Sequence, residues 1–108
     1  MSIIYIAGKM QGAPGLNKER FCGIADMLRL NGHTVLNPAE LPPGLPRDRY
    51  MPICLAMLGA ADIVYAMNNW ESSPGAAVEV NFAKYQGKKI WYEKVWYEKE
   101  RDAASADV

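Results

Sequence analysis

Short apolar segments alternate with amphipathic helical ones along this chain, and that alternation constrains its fold more than any other feature. Ser2 to Ala7 is short, rich in Ile and Tyr, and ended by Gly8, which is the pattern of a buried strand. Gly12, Pro14 and Gly15 then mark a loop from Lys9 to Gly15. Asn17 is placed to cap a helix with Glu19 in its first turn, and Phe21, Ile24, Ala25 and Leu28 follow the i, i+3, i+4, i+7 spacing of one buried face. Gly32 closes that helix, and His33 to Leu36 form a second strand stopped by Asn37-Pro38. Five of the seven prolines fall in residues 38–52, a density that predicts a stiff surface loop. A helix follows from about Asp48 to Gly59, with Met51, Cys54, Leu55 and Leu58 inward. Asp62 to Met67 is a third strand, Pro74 to Gln86 a third helix ended by Gly87, and Lys88 to Tyr92 a fourth strand.

The order is β-α-β-α-β-α-β, which implies a parallel sheet covered by helices. Four strands most simply adopt the order 2-1-3-4, giving one flavodoxin-like or Rossmann-like three-layer α/β domain over residues 1–92, with a tail at 93–108. Ligands of such sheets bind at the carboxyl ends of the strands flanking the switch point. Here those ends are the loops Gly8–Gly15 and Met67–Pro74.

Bulk properties narrow the function classes. The chain of 108 residues has room for one ordinary domain. Its twelve basic side chains offset twelve acidic ones, which argues against a partner that is a nucleic acid polymer. Residues 1–92 hold nine basic and seven acidic groups, so few carboxylates are free for chemistry. No apolar run approaches the ~20 residues of a membrane helix, and Met1 to Tyr5 lacks a charged leader, so a cytoplasmic protein with no membrane partner is expected. Cys22 and Cys54 read as reduced, buried helix residues. One histidine and two scattered cysteines make a metal site unexpected, and no cofactor is called for.

The chemistry concentrates at the third loop and helix. Ser73 is a good N-cap and Pro74 fits the first helical position, while Gly75, Ala76 and Ala77 leave the first turn nearly bare. Backbone N–H groups, the helix dipole and a serine hydroxyl suit a small anion such as a phosphate, although a well-capped helix with no ligand has the same pattern. Glu79 lies nearly two turns further, among Ala76, Ala77, Val78, Val80 and Phe82. A carboxylate there is either functional or turned to the solvent edge, near Lys84. The first loop, Gly8-Lys9-Met10-Gln11-Gly12, can wrap a small ligand but is no Walker motif. Tyr5, at the end of the first strand, carries a hydroxyl able to reach the cleft.

Together, Tyr5-Ile6-Ala7-Gly8, Gly32-His33-x-Val35-x-Asn37-Pro38, Ala61-Asp62-Ile63-Val64 and Trp70-Glu71-Ser72-Ser73-x-Gly75-Ala76-x-x-Glu79 resemble a family of small phage and bacterial proteins of unassigned function. That family is similar to nucleoside 2-deoxyribosyltransferases and 2′-deoxynucleoside 5′-monophosphate N-hydrolases. The resemblance implies that Glu79 is a nucleophile attacking C1′ of the sugar and that Tyr5 orients it. It implies that Ser73, with Gly75, holds a 5′-phosphate, and that Gly8 to Gly12 form the ligand loop; the Ala76 N–H at the bare helix start and the Ser72 hydroxyl are expected to add to the phosphate seat. In the enzymes an aspartate on the second helix assists the departing base; here Cys54 stands at that position.

Two functional readings follow. One is an N-glycosidase or base-exchange enzyme acting on a (deoxy)nucleoside 5′-monophosphate through a covalent glycosyl-glutamate. The other is a non-catalytic nucleotide-binding protein using the same cleft, motivated by Cys54. The sequence WYEK recurs at 91–94 and 96–99. Its aromatics either pack on their own domain or form a subunit contact, and a homodimer is the expected assembly.

Overall fold

The computed structural model describes residues 1–10 and 12–93. The expectations for Gln11 and for the tail beyond Glu93 lie outside the described residues. Four parallel strands, β1 (Ile3–Ala7), β2 (Thr34–Leu36), β3 (Ile63–Ala66) and β4 (Lys89–Tyr92), form one sheet in the order 2-1-3-4. Three helices connect them: α1 (Lys18–Leu30), α2 (Arg47–Gly59) and α3 (Pro74–Tyr85). The doubly wound architecture is therefore the one that the alternation of elements predicts.

The period-two alternation of strand side chains splits the core into two layers. Ile4, Ile6, Ile63 and Tyr65 face α1, meeting Phe21, Ile24, Ala25 and Leu28. These four α1 residues are its whole buried face, as their spacing predicts. Tyr5, Ala7, Val64 and Ala66 face the other way, onto α2 and α3, where Cys54, Leu58, Val80 and Ala83 cover them. Tyr5 pairs in register with Leu36 on one side and Val64 on the other, so it sits mid-strand at the centre of the sheet rather than at the strand end.

Several local expectations are corrected. Asn17 does not cap α1: its backbone is left-handed (φ 61°), and its side-chain amide donates to the Lys9 carbonyl at 3.1 Å. It ties the first loop to the helix instead. Cys22 is exposed rather than buried, because it falls outside the apolar stripe of α1; both cysteines are free. Met51 and Leu55 are half-buried, leaving Cys54 and Leu58 as the buried positions of α2. The proline-rich stretch begins with a short 3-10 turn, Pro38–Glu40, capped by the Asn37 side chain on the Ala39 N–H (3.0 Å). His33 precedes β2, accepts from the Ser2 N–H at 3.3 Å and meets Trp91 edge-on at 5.7 Å.

At the carboxyl end of the sheet, Glu93 is bound by Arg20, by the Tyr65 hydroxyl (3.1 Å) and by the Asn68 N–H (3.0 Å). Burial and this carboxylate push the Tyr65 hydroxyl well above its ordinary range. No described helix is long and apolar enough to cross a membrane.

Candidate functional site

The buried stripe of α3 is Ala76, Glu79, Val80 and Ala83. Glu79 thus occupies a core position on a face that otherwise packs against the sheet, and only 6% of it is exposed. The solvent-edge alternative does not hold. Lys84 lies instead over the Trp70 ring, 5.4 Å from its centroid. Directly beneath Glu79, the fully buried Tyr5 donates its hydroxyl hydrogen to the carboxylate. The Cys54 thiol of α2 stands against both groups.

The electrostatics of this trio follow from desolvation. Burial raises the Glu79 carboxyl from 4.5 to about 7, against the opposing pull of the Tyr5 hydroxyl and the nearby Cys54 thiol. Burial, then the neighbouring Glu79 charge, lifts Tyr5 well above its ordinary value, so it keeps its proton and donates. The Cys54 thiol is pushed up to about 11, chiefly by burial, and stays neutral. The trio therefore carries one carboxyl group poised to change charge near neutral pH, held by the Tyr5 hydroxyl, with the neutral Cys54 thiol beside it.

Glu79 and Tyr5 form one wall of a cavity of about 350 Å³ at the switch point between β1 and β3. Gly8, Lys9 and Met10 of the first loop line it, as do Ser73, Gly75 and Ala76 of the third. Gly8 lets the first loop lie against the chain leaving β3: a Cβ there would sit 2.3 Å from the sulfur of the buried Met67. The Lys9 N–H donates to the Asn69 side chain at 3.2 Å, which joins the two loops that flank the cleft.

The helix end is less open than its sequence suggests. Ser73 Oγ accepts from the Ala76 N–H at 3.3 Å, and the Ala77 N–H returns to the Ser73 carbonyl at 2.8 Å. Pro74 has no N–H, so the Gly75 N–H and the Ser73 hydroxyl hydrogen are the donors left for a ligand in that turn. Ser72 is exposed and outside the cavity lining; its hydroxyl donates to the Asn69 carbonyl at 2.9 Å within the 3-10 turn Trp70–Ser72. Gly12 also lies outside the lining and serves a turn with φ of 82°.

Sequence reasoning placed Cys54 at the site but missed the rest of the α2 wall. Arg47, Tyr50 and Met51 line the cavity together with Cys54. Arg47 is the first residue of α2, and it adds a second cation to Lys9 beside the cleft. Asp48, the nearest acid to Cys54 in α2, is exposed beside Arg49 and lies outside the cavity lining. The signal that could have revealed the wall is the helix period itself, which puts Arg47, Tyr50, Met51 and Cys54 on one face.

These features define a class: a three-layer α/β domain with a cleft at its switch point, walled by a buried carboxylate and flanked by cations. Residues 2–92 match the family model described as domain of unknown function DUF4406, and the chain belongs to that family. A comparison with curated proteins finds no match. Among solved structures, the fold is similar to a 2-desoxiribosyltransferase from Leishmania mexicana, with a TM-score of 0.70 at 20% sequence identity. The match covers 85% of this chain and 63% of that protein, so the chain spans less than two thirds of its relative's length.

Proposed function

We propose that this chain cleaves the N-glycosidic bond of a nucleoside 5′-monophosphate, passing the sugar to water or to another base. The observation that carries the reading is the Glu79 carboxylate, buried in a cavity wall and held by the Tyr5 hydroxyl. Burying a carboxylate is costly unless its position is used. In the proposed first step, a Glu79 oxygen attacks C1′ while the C1′–N bond breaks. The bonding pair leaves with the base; in the second step water attacks C1′, frees the carboxylate and gives up a proton, which balances the one that the departed base takes up. The logic is that of retaining glycoside hydrolysis, where a covalent ester divides one hard displacement into two. Tyr5 orients the nucleophile. The Ser73 hydroxyl, the Gly75 N–H, Lys9 and Arg47 supply the hydrogen bonds and positive charge that suit a 5′-phosphate.

The test is release of free base from a panel of nucleoside monophosphates by the purified chain. Activity is expected to vanish in Glu79→Gln, and full activity in that variant would end this mechanism. Cys54 at the place of a helping carboxyl group favours a second reading, a nucleotide-binding protein without turnover. Calorimetric binding of nucleoside monophosphates with no base release would select it.

A further inference from the structure

Among the described residues that line the cavity, Glu79 is the only carboxyl. Retaining glycosidases ordinarily use two, one as nucleophile and one as proton donor to the leaving group. None of the other polar groups in the lining is a carboxylic acid. Tyr5 and Cys54 both lie against Glu79, on the nucleophile's side, and both hold their protons more tightly than usual. Ser73 caps α3. Arg47 does not release a proton, and Lys9 adds a second positively charged side chain to the lining. Tyr50 adds an aromatic side chain to the α2 wall, and aromatic faces attract flat cations.

A neutral nucleobase needs a proton to depart well, whereas a base that is already cationic does not. Resting on the glycosidase reading above, we propose that this site acts on nucleotides whose base carries a fixed positive charge, a pyridinium or an N7-alkylated purine. The electrons then balance without an acid. Glu79 Oε forms a bond to C1′ as the C1′–N bond breaks; the bonding pair goes to the ring nitrogen and cancels the ring's charge. The base leaves neutral. Water then attacks C1′, the carboxylate is released, and the water's proton passes to solvent. In the ground state, the Glu79 carboxylate also attracts the cationic ring, while Lys9 and Arg47 suit the phosphate.

Matched pairs test this with the full chain: 7-methyl-GMP against GMP, and nicotinamide mononucleotide against AMP. Base release is followed chromatographically from pH 5.5 to 9, after subtraction of the rate without protein and of the Glu79→Gln rate. The cationic member of each pair is expected to react at least about 100-fold faster, the lower end of what a general acid contributes. With nicotinamide mononucleotide, whose ring has no proton to lose in this range, the rate should rise with pH as Glu79 ionises, then stay level with no alkaline decline. The groups facing Glu79 that could disturb this profile are Tyr5 from β1, Cys54 from α2, and Lys9, Arg47 and Tyr50 around the cavity. Release from GMP or AMP within tenfold of the cationic partner, or a falling alkaline limb with nicotinamide mononucleotide, overturns the inference and leaves the glycosidase reading standing. Release from none of the four overturns both.

Discussion

Replacing Glu79 by Gln should make the protein more stable at alkaline pH, by an amount that depends on pH in a defined way. In the unfolded chain this carboxyl titrates near 4.5, and in the fold at about 7. Between those values the native state binds more protons than the unfolded state, so its stability falls as pH rises. Below pH 4.5 both states are protonated and the penalty is absent. Above about pH 8 it is complete. At about 1.4 kcal/mol per tenfold change in proton affinity, the full penalty is about 3 kcal/mol. Glutamine is neutral throughout and keeps an oxygen able to accept from the Tyr5 hydroxyl. Any constant offset from the amide cancels when two pH values are compared. Urea denaturation of both proteins at pH 4.5 and 8.5 gives four stabilities. The advantage of Glu79→Gln over the parent should grow by about 3 kcal/mol across that range, which corresponds to a shift on the order of 10 °C in Tm. An advantage constant to within about 0.5 kcal/mol would refute the claim that burial of this charge opposes folding.

Other outcomes are expected from the same geometry. Base release should rise with pH through about 7, the ionisation of Glu79; Tyr5→Phe should move that midpoint upward and slow the reaction about 100-fold, as the pH–rate profile will show. Gly8→Ala should cost about 1–3 kcal/mol, measured by thermal unfolding, because the added methyl meets the fully buried Met67. Ser73→Ala should lose about 1 kcal/mol of cap energy. Arg47→Ala, at an exposed position, should leave Tm unchanged yet weaken calorimetric binding of a nucleoside monophosphate about tenfold, with binding of the unphosphorylated nucleoside unaffected.

The strands, the α1 face and the strand order were legible because each is written in local periodicity. Phe21, Ile24, Ala25 and Leu28 mark their helix face by spacing alone, and Ser73-Pro74 marks a helix start. Glu79 was visible as an acid inside an apolar stripe, and Tyr5 as a strand tyrosine near the switch point. Other features depended on what the rest of the chain brings near. Asn17 has the chemistry of a cap but turns its amide to Lys9, and Ser72 has a free-looking hydroxyl that bonds Asn69. The α2 wall is amphipathic in a way that serves a cavity rather than a core, so Arg47 and Tyr50 looked like surface residues.

By itself, then, the order of elements determined the parallel sheet and its switch point, because hydrophobic periodicity and turn chemistry act over a few residues. Only the tertiary structure decided that Tyr5 and Glu79, 74 residues apart, meet beside Cys54 under one roof. The parity of β1 turns Tyr5 toward α2 and α3, the register centres it in the sheet, and the two helices close over it. The raised Glu79 carboxyl follows from that enclosure, since desolvation belongs to the surroundings that a side chain acquires and not to its place in the chain.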